Sequence, residues 1–467
     1  MPWKLPGARP DERAETVDRQ HPTDGLHADD PMLGDAYAPP VNGRAARPSP
    51  PATQLAITDE RGRVLPGLRR PDRRASDRRP TSIEERVTER MNVQTTLHRR
   101  LPSVLGLMAE WQELHDASME ANPFSGPDWA VTWLDHFGGG VNEPFVVEVR
   151  DGDQLVGVAP LNRRTILRDR ATIVQPIGNG SPWIGPYELP SILAAPTHGR
   201  SVARAVVQRL CEEPDTWDWS SLLLGSAAPW LEPEWLPDWS FTLVERQVRA
   251  AAVLDLSAHV DVYAGRRNLK ESFRRARNRL TRDFGADGWS VRRVTDAAAV
   301  GAAFDRLVDL HGQRAGLRDG RPVHADVFAE PRVRAYLRTV AERMGLRRAL
   351  SFYELLIGTD VVASQLVLHT SSASYSSISG AAERAWPYSA ITYLQSLAVK
   401  DAQDAGHSRM NLSQGPNQAK LRWTDLVEST PEFVIVGPRP RSRFLYLGAE
   451  VAGTLSSYRK ARRAHRV

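Results

Sequence analysis

Cysteine occurs once in 467 residues, at Cys211. A single thiol excludes a disulfide framework within the chain and any cysteine-rich metal site. No run approaches the ~20 consecutive apolar residues of a membrane-spanning helix. The longest candidate, FLYLGAEVAGTL near residue 450, is too short. The first residues, MPWKLPGARPDERAE, lack the apolar core of a secretion signal. These absences together read as a soluble, cytoplasmic protein. Also absent are GxxxxGK[ST], HExxH, CxxC and GxSxG, which removes the best-marked nucleotide, zinc, redox and nucleophile-elbow chemistries. A dispersed Ser-His-Asp set stays open. Lysine is nearly missing too: of 61 basic residues only Lys4, Lys270, Lys400, Lys420 and Lys460 are lysines.

What is present divides the chain. Residues 1–80 hold 13 of the 34 prolines and few periodic apolar residues. Such a segment cannot offset its ordering entropy by burial, so 1–95 is expected to be a disordered tail. Beyond it, LPSVLGLMAEWQELHDAS carries Val104, Leu107, Met108, Trp111 and Leu114 at helical spacing. NPFSGPDWAVTWLDHF predicts a second helix, capped by Ser125 or Asp128. Two strand-like runs flank Asp151-Gly152-Asp153, a hairpin signal. A strand (ATIVQPIGNG), a helix (HGRSVARAVVQRLCEE) and a strand (WDWSSLLLGSA) follow.

The same order returns some 200 residues later. Two amphipathic helices precede two strands around Gly358-Thr359-Asp360, then SASYSSISG, then a helix ending at Gly406, then SRMNLS. The pattern predicts an α/β protein of two related domains, 96–255 and 256–446, each a mixed, mostly antiparallel sheet flanked by helices. A basic tail, 447–467, closes the chain.

Between the repeats, GRRNLKESFRRARNRLTRD (265–283) holds eight basic residues against Glu271 and Asp283. Leu269, Phe273, Ala276 and Leu280 form one packing stripe, leaving the other faces cationic. The net charge of +5 does not by itself imply nucleic acid. The local cluster, with Arg274 and Arg275 at its centre, favours an anion-facing helix over a merely solvated face.

Three segments, NLKESFRRARNRL, SYSSISGAAERAWPYSAITYLQSLAVKDA and RMNLSQGPNQAKLRWT, carry a resemblance when taken in order. Residues 256–424 resemble the acetyltransferase-like domain of the GNAT superfamily, in the branch of cellulose-biosynthesis acyltransferase-like proteins. NPFSGPDWAVTW and FVVEVRDGDQLVGVAPL are similar to the first half of the same proteins. The resemblance spans about 100–430 and implies two GNAT-like folds in tandem, an arrangement shared with Fem-type aminoacyltransferases. It implies acyl transfer without a metal, from acetyl-CoA or another acyl-CoA to a small-molecule or saccharide acceptor. It places the donor's pyrophosphate at the start of the helix after the central strand, here Ser389-Ala390. A helix N-terminus suits an anion physically, although Ser389 is equally suited to be an ordinary N-cap.

The chain departs from the family pattern in two places. AAERAWPYSAIT replaces the usual Q/R-x-x-G-x-G/A phosphate loop, with Arg384 as its one basic residue. In the closing strand, Asn411 stands where the family has aspartate and Ala419 where it has tyrosine, while Gly415, Lys420 and Trp423 are retained.

The candidate residues follow. Lys420, after a strand and a turn, is expected to bind donor phosphate, a developing oxyanion or a proton in transit. Glu383, Glu354 and Tyr388 are candidates for proton transfer, with His369 and Tyr375 as weaker ones. Ser389, Ala390, Arg384, Asn411 and Gly415 are expected around the donor. Trp423, Gln365, Arg274 and Arg275 are expected near substrate, although Trp423 reads better as core. Two alternatives remain: a Fem-like transferase using aminoacyl-tRNA, for which the basic helix would bind RNA phosphate, and a non-catalytic scaffold in envelope or exopolysaccharide synthesis.

Overall fold

The computed structural model describes residues 93–167, 169–178, 189–246, 249–257, 261–316 and 326–464. The expected disordered tail lies outside the described residues up to 92, and Val93 already opens the first strand.

In the first half, β1 (Val93–His98) leads into α1 (Leu101–Gly106), α2 (Met108–Ala117) and α3 (Pro127–Phe137). The helix read across 104–114 is thus broken at Leu107. The cap of α3 is Gly126 with Pro127 behind it, not Ser125 or Asp128. Asn122 caps the preceding turn, accepting from the N–H groups of Phe124 and Ser125. Six strands and a helix follow: β2 (Asn142–Pro144), β3 (Val146–Asp151), β4 (Gln154–Ala159), β5 (Leu161–Ile166), β6 (Ala171–Pro176), β7 (Leu193–Ala194) and α4 (Gly199–Cys211). Next come β8 (Trp219–Leu223), β9 (Thr242–Glu245) and β10 (Arg249–Asp255). The β3–β4 hairpin forms where Asp151-Gly152-Asp153 predicted it, with Gly152 at φ +57°.

The second half runs α5 (Arg267–Phe284), β11 (Trp289–Val294), α6 (Ala297–Gly316), α7 (Pro331–Leu346), β12 (Leu350–Ile357), β13 (Asp360–His369) and β14 (Ala373–Ala381). After these come α8 (Ala390–Asp404), β15 (Arg409–Gln414), α9 (Gln418–Leu421), β16 (Val427–Thr430), β17 (Glu432–Val436) and α10 (Pro440–Ala464).

The strands make three sheets, ordered β1-β3-β4-β7, β2-β5-β6-β8-β17-β9 and β11-β12-β13-β14-β15-β10-β16. The order shows an exchange that periodicity could not. β10 precedes the expected boundary at 255/256, yet it pairs with β15 and β16 in the second sheet. β17 comes from the second half, yet it pairs with β8 and β9 in the first. Each half thus lends the other a strand. The expected tail at 447 is the continuation of α10, which covers the β17 face through Tyr446, stacked edge-on to Trp219 at 5.8 Å.

One hydrophobic core runs through both halves. Trp111, Trp129 and Trp133 of the first share it with Phe304, Tyr336 and Met344 of the second. Around it α3 and α7 are locked by polar contacts. Tyr336 Oη donates to Trp129 O at 3.2 Å, Arg347 pairs with Asp128 at 2.6 Å, and Arg343 donates to Thr132 at 2.9 Å. These contacts tie the two halves together across α3 and α7.

Candidate active site

The third sheet is antiparallel except at one seam. β14 and β15 run parallel and pair only through Ala373–Arg409, Ser374–Met410 and Tyr375–Asn411. Beyond Tyr375, β14 stays with β13 and runs on to Ala381, while β15 stays with β10. The two strands fork, and their facing backbone edges past the third pair have no partner across the seam. An irregularity in the β13–β14 register, between Gln365 and Val367, gives β14 an extra residue just past the fork and bends it.

Alternation along the strands sends side chains to two faces. Toward α8 point Ser376, Met410 and Leu412. Here Gln365 donates to Ser376 at 2.7 Å and also bonds Gln395 of α8, while the Gln365 Oε1 acceptor is buried without a partner. Toward the first domain point Tyr375, Arg409 and Asn411. They line a cavity of about 280 Å³, closed from the other side by Glu120, Asn122 and Ser191.

Asn411 and Gln414 both line this cavity, although residues three apart fall on opposite faces of a regular strand. The chain turns between them. Ser413 adopts φ +69°, its N–H is held by Asn411 Oδ1 at 2.7 Å, and the register with β10 slips between Ala251 and Val253. Lys420 secures the turn. Asn417 caps α9 by accepting from the Lys420 N–H, and the Lys420 ammonium donates to the carbonyls of Ser413, at 3.2 Å, and Gln414. The Gln414 amide nitrogen is buried without a partner. Glu428 stands in the same cross-strand row as Ala251 and Gln414. Its carboxylate lies in the cavity 3.7 Å from Arg409.

α8 starts immediately behind the fork. Its N-cap, Ser389, is left-handed at φ +50°, ψ +42° and makes no side-chain cap, so the N-cap reading of this serine is not realised. The N–H groups of the first turn, from Ala390 on, are left to an outside acceptor. Glu383–Tyr388 forms a tight turn before it. The basic helix α5 packs beside that turn: Arg279 donates to Pro387 O at 2.8 Å, and Tyr388 donates to Asp283 at 3.1 Å. Burial, with the Asp283 bond, raises the Tyr388 pKa. Ser389 and Ala390 therefore stand at an open helix start with cationic side chains nearby.

Other expected residues lie elsewhere. Glu354 is a correction: it is 0 % exposed, and its carboxylate is filled by Arg292 at 2.5 Å and Arg306 at 2.8 Å. A carboxylate clamped by two guanidiniums, two strands from the fork, is a core tie and not a proton carrier. Trp423 is 5 % exposed, stacked between Phe273 and Tyr263 in the core under α5. Arg384 pairs at the surface with Asp360 at 2.8 Å, and Glu383 is exposed beside it. Arg274 and Arg275 share Glu271 on the outer face of α5. Gly415 sits at φ +73°, in the turn after β15, a conformation that suits glycine. His369 is half-buried between Ser351 and Ser374, away from the cavity. Glu120, Asn122, Arg409 and Glu428 were not foreseen. They come from both halves of the chain, and no local spacing marks them. Among the described residues, no cluster of three or more His, Cys, Asp or Glu could hold a metal ion.

The comparisons agree with the fold. Residues 267–421 match the model of the acetyltransferase (GNAT) domain. The match lies within the second domain, and it supports acyl transfer as the chain's class of activity. No curated protein matches it. Among solved structures, FemX is similar at 11% identity over 76% of this chain and 100% of its own, with a TM-score of 0.50, a likeness of fold. A tandem GNAT protein from the clavulanic acid biosynthesis pathway is similar at 13% identity, covering 75% of this chain and 99% of its own, with a TM-score of 0.38. L-PGS from Bacillus licheniformis is similar at 10% identity, covering 70% and 97%, with a TM-score of 0.40.

Proposed function

We propose that the chain transfers an acyl group, acetyl foremost, from coenzyme A to an amine or hydroxyl of a small acceptor held between the two domains. The observation that carries this reading is the β14–β15 fork, which has the uncapped start of α8 on one face and the interdomain cavity on the other. The unpaired strand edges suit an extended, amide-bearing chain such as pantetheine. The first-turn N–H groups of α8, with Arg279 beside them, suit its pyrophosphate. Small side chains at Ser389 and Ala390 let that backbone approach. When bound, the donor supplies an activated thioester.

In the cavity, Asn411, the free amide of Gln414 and Arg409 orient a polar acceptor. Glu428 takes the proton from the attacking amine or hydroxyl. The new bond forms to the acyl carbon, the carbon–sulfur bond breaks with its electron pair on sulfur, and the coenzyme A thiolate takes up the proton released by Glu428 to leave as the thiol. Lys420 is a positioning residue: its ammonium holds the Ser413–Gln414 bend that aims Gln414 into the cavity. The likeness of the sequence pattern to cellulose-biosynthesis acyltransferase-like proteins favours a saccharide precursor as acceptor and a cytoplasmic setting.

Calorimetric titration with acetyl-CoA and longer acyl-CoAs tests the donor. Saturable binding is expected, weakened about tenfold or more by Ser389→Asp, which sets a negative charge where phosphate would lie. Glu428→Gln is expected to leave that binding intact and to slow transfer by roughly 10²-fold or more. Lys420→Ala is expected to raise the acceptor KM while donor affinity holds. The exposed arginine face of α5 supports a second reading, aminoacyl-tRNA as donor. If no acyl-CoA binds and charged tRNA binds with steep salt dependence, the second reading replaces the first.

A further inference from the structure

α10 has two faces of different character. Its inner face is anchored: Ser442 donates to Asp218 at 2.7 Å, Tyr446 packs on Trp219, and Glu450 pairs with Arg246. Its outer face carries Phe444, Leu447, Val451 and Leu455, exposed by 78, 62, 59 and 51 %. Their spacing of three, four and four residues makes one continuous stripe along the helix. Such side chains belong in a core unless something else covers them.

A second segment is tied to the same helix. Arg443, next to Phe444, donates to Ser240 O at 2.5 Å. This bond holds the 238–240 loop against the first turn of α10. Trp239, in that loop, is 99 % exposed. A fully exposed tryptophan in a loop tied to this helix has the amphipathic character of residues that settle at a membrane–water boundary.

Charge indicates what the surface meets. From Pro440 to Val467 the sequence holds seven lysines and arginines, Arg441, Arg443, Arg459, Lys460, Arg462, Arg463 and Arg466, against the single carboxylate Glu450. Glu450 is already neutralised by Arg246. Asp238 is the carboxylate next to Trp239, held by the Ser240 N–H. An apolar stripe on a strongly cationic helix is the pattern of a helix that lies in the plane of an anionic bilayer. No described helix is long and apolar enough to cross a membrane, so the contact is peripheral. A second copy fits less well. A stripe of this size is on the order of a few hundred Å², so a pair of copies would bury less than the ~1,200 Å² usual for a stable interface. It would also bring two cationic segments together.

We infer that the outer face of α10, with Trp239, docks the protein on the surface of anionic phospholipid membranes.

Flotation of the full chain with vesicles tests this. Vesicles of phosphatidylcholine alone are compared with vesicles of equal parts phosphatidylcholine and phosphatidylglycerol, at low and at high salt. The wild type is expected to float with the mixed vesicles at low salt, and to be released by salt or by omitting phosphatidylglycerol. Phe444→Ser with Val451→Ser should weaken flotation about tenfold or more, since two buried apolar side chains are lost. Trp239→Ser, in a separate loop, should weaken it in the same direction. All three positions are exposed, so thermal unfolding should be unchanged. The inference is overturned if the wild type ignores the mixed vesicles at low salt, or if these variants float as well as the wild type. It is also overturned if the wild type ignores vesicles and light scattering shows a dimer that the double variant loses, which would assign the stripe to a second copy.

Discussion

His369 shows how much one half-buried ring can set. Its Nε2 lies 2.9 Å from Ser351 Oγ and its Nδ1 3.0 Å from Ser374 Oγ. Burial pushes its pKa down to about 3, helped by His407 and Arg293. In the folded chain the ring is neutral, while in the unfolded chain it takes a proton near pH ~6.5. Its contribution to stability is therefore complete above that pH and is lost as pH falls toward 3, by at most about 1.4 kcal/mol per pH unit for one proton. His407, 2.7 Å from Ser374 Oγ, is pushed down by burial too and adds to the same limb. Urea unfolding of His369→Gln between pH 6 and 4 should show a flatter acid limb than the wild type. The sequence offered His369 only as a weak catalytic candidate, because strand alternation does not say which face has hydroxyls waiting. The sequence set Lys420 beside a donor phosphate, an oxyanion or a proton in transit, and the strand pattern could not show what its ammonium bonds. Its partners are two carbonyls presented by a left-handed serine, a conformation that sequence pattern favours for glycine.

At the scale of elements, α8 was legible almost to the residue, because Leu394, Ala398 and Ala402 keep one face buried and Gly406 follows its end. Its first turn was not. Serine before a helix reads as a cap, yet Ser389 is turned to φ +50° and caps nothing. An L-residue held there costs about 1–2 kcal/mol. Ser389→Gly should therefore stabilise the chain by roughly 0.5–1 kcal/mol, and Ser389→Val should destabilise it. Differential scanning calorimetry reads both signs. A strained residue kept at the open start of a helix is where a ligand-binding turn would hold it. The parallel seam was invisible for a related reason: SASYSSISG and SRMNLS each read as strands, but nothing local states that they pair for three residues and then part.

At the scale of the molecule, the duplication was legible and the boundaries were not. Helix and strand periods repeat, so two α/β units followed from pattern. Strand order depends on pairings between residues far apart in the chain, as for Ala251 with Gln414 and Phe433 with Leu222. A fragment cut at the 255/256 boundary would lack β10, the strand between β15 and β16. Residues 256–467 expressed alone should be insoluble or lack cooperative unfolding by circular dichroism, whereas the whole chain should unfold as one unit around its shared core. A fragment that melts cooperatively would show that β10 is dispensable.

The lent strand β17 also orders events during synthesis. The sheet of the first domain has β8 in place early, but the strand between β8 and β9 leaves the ribosome roughly 200 residues later. At about 5–20 residues per second the first half waits on the order of 10 to 40 s with that edge open. The nascent chain is then most exposed to chaperones and to misplaced strand pairing, and the first domain is finished only when the second has nearly been made.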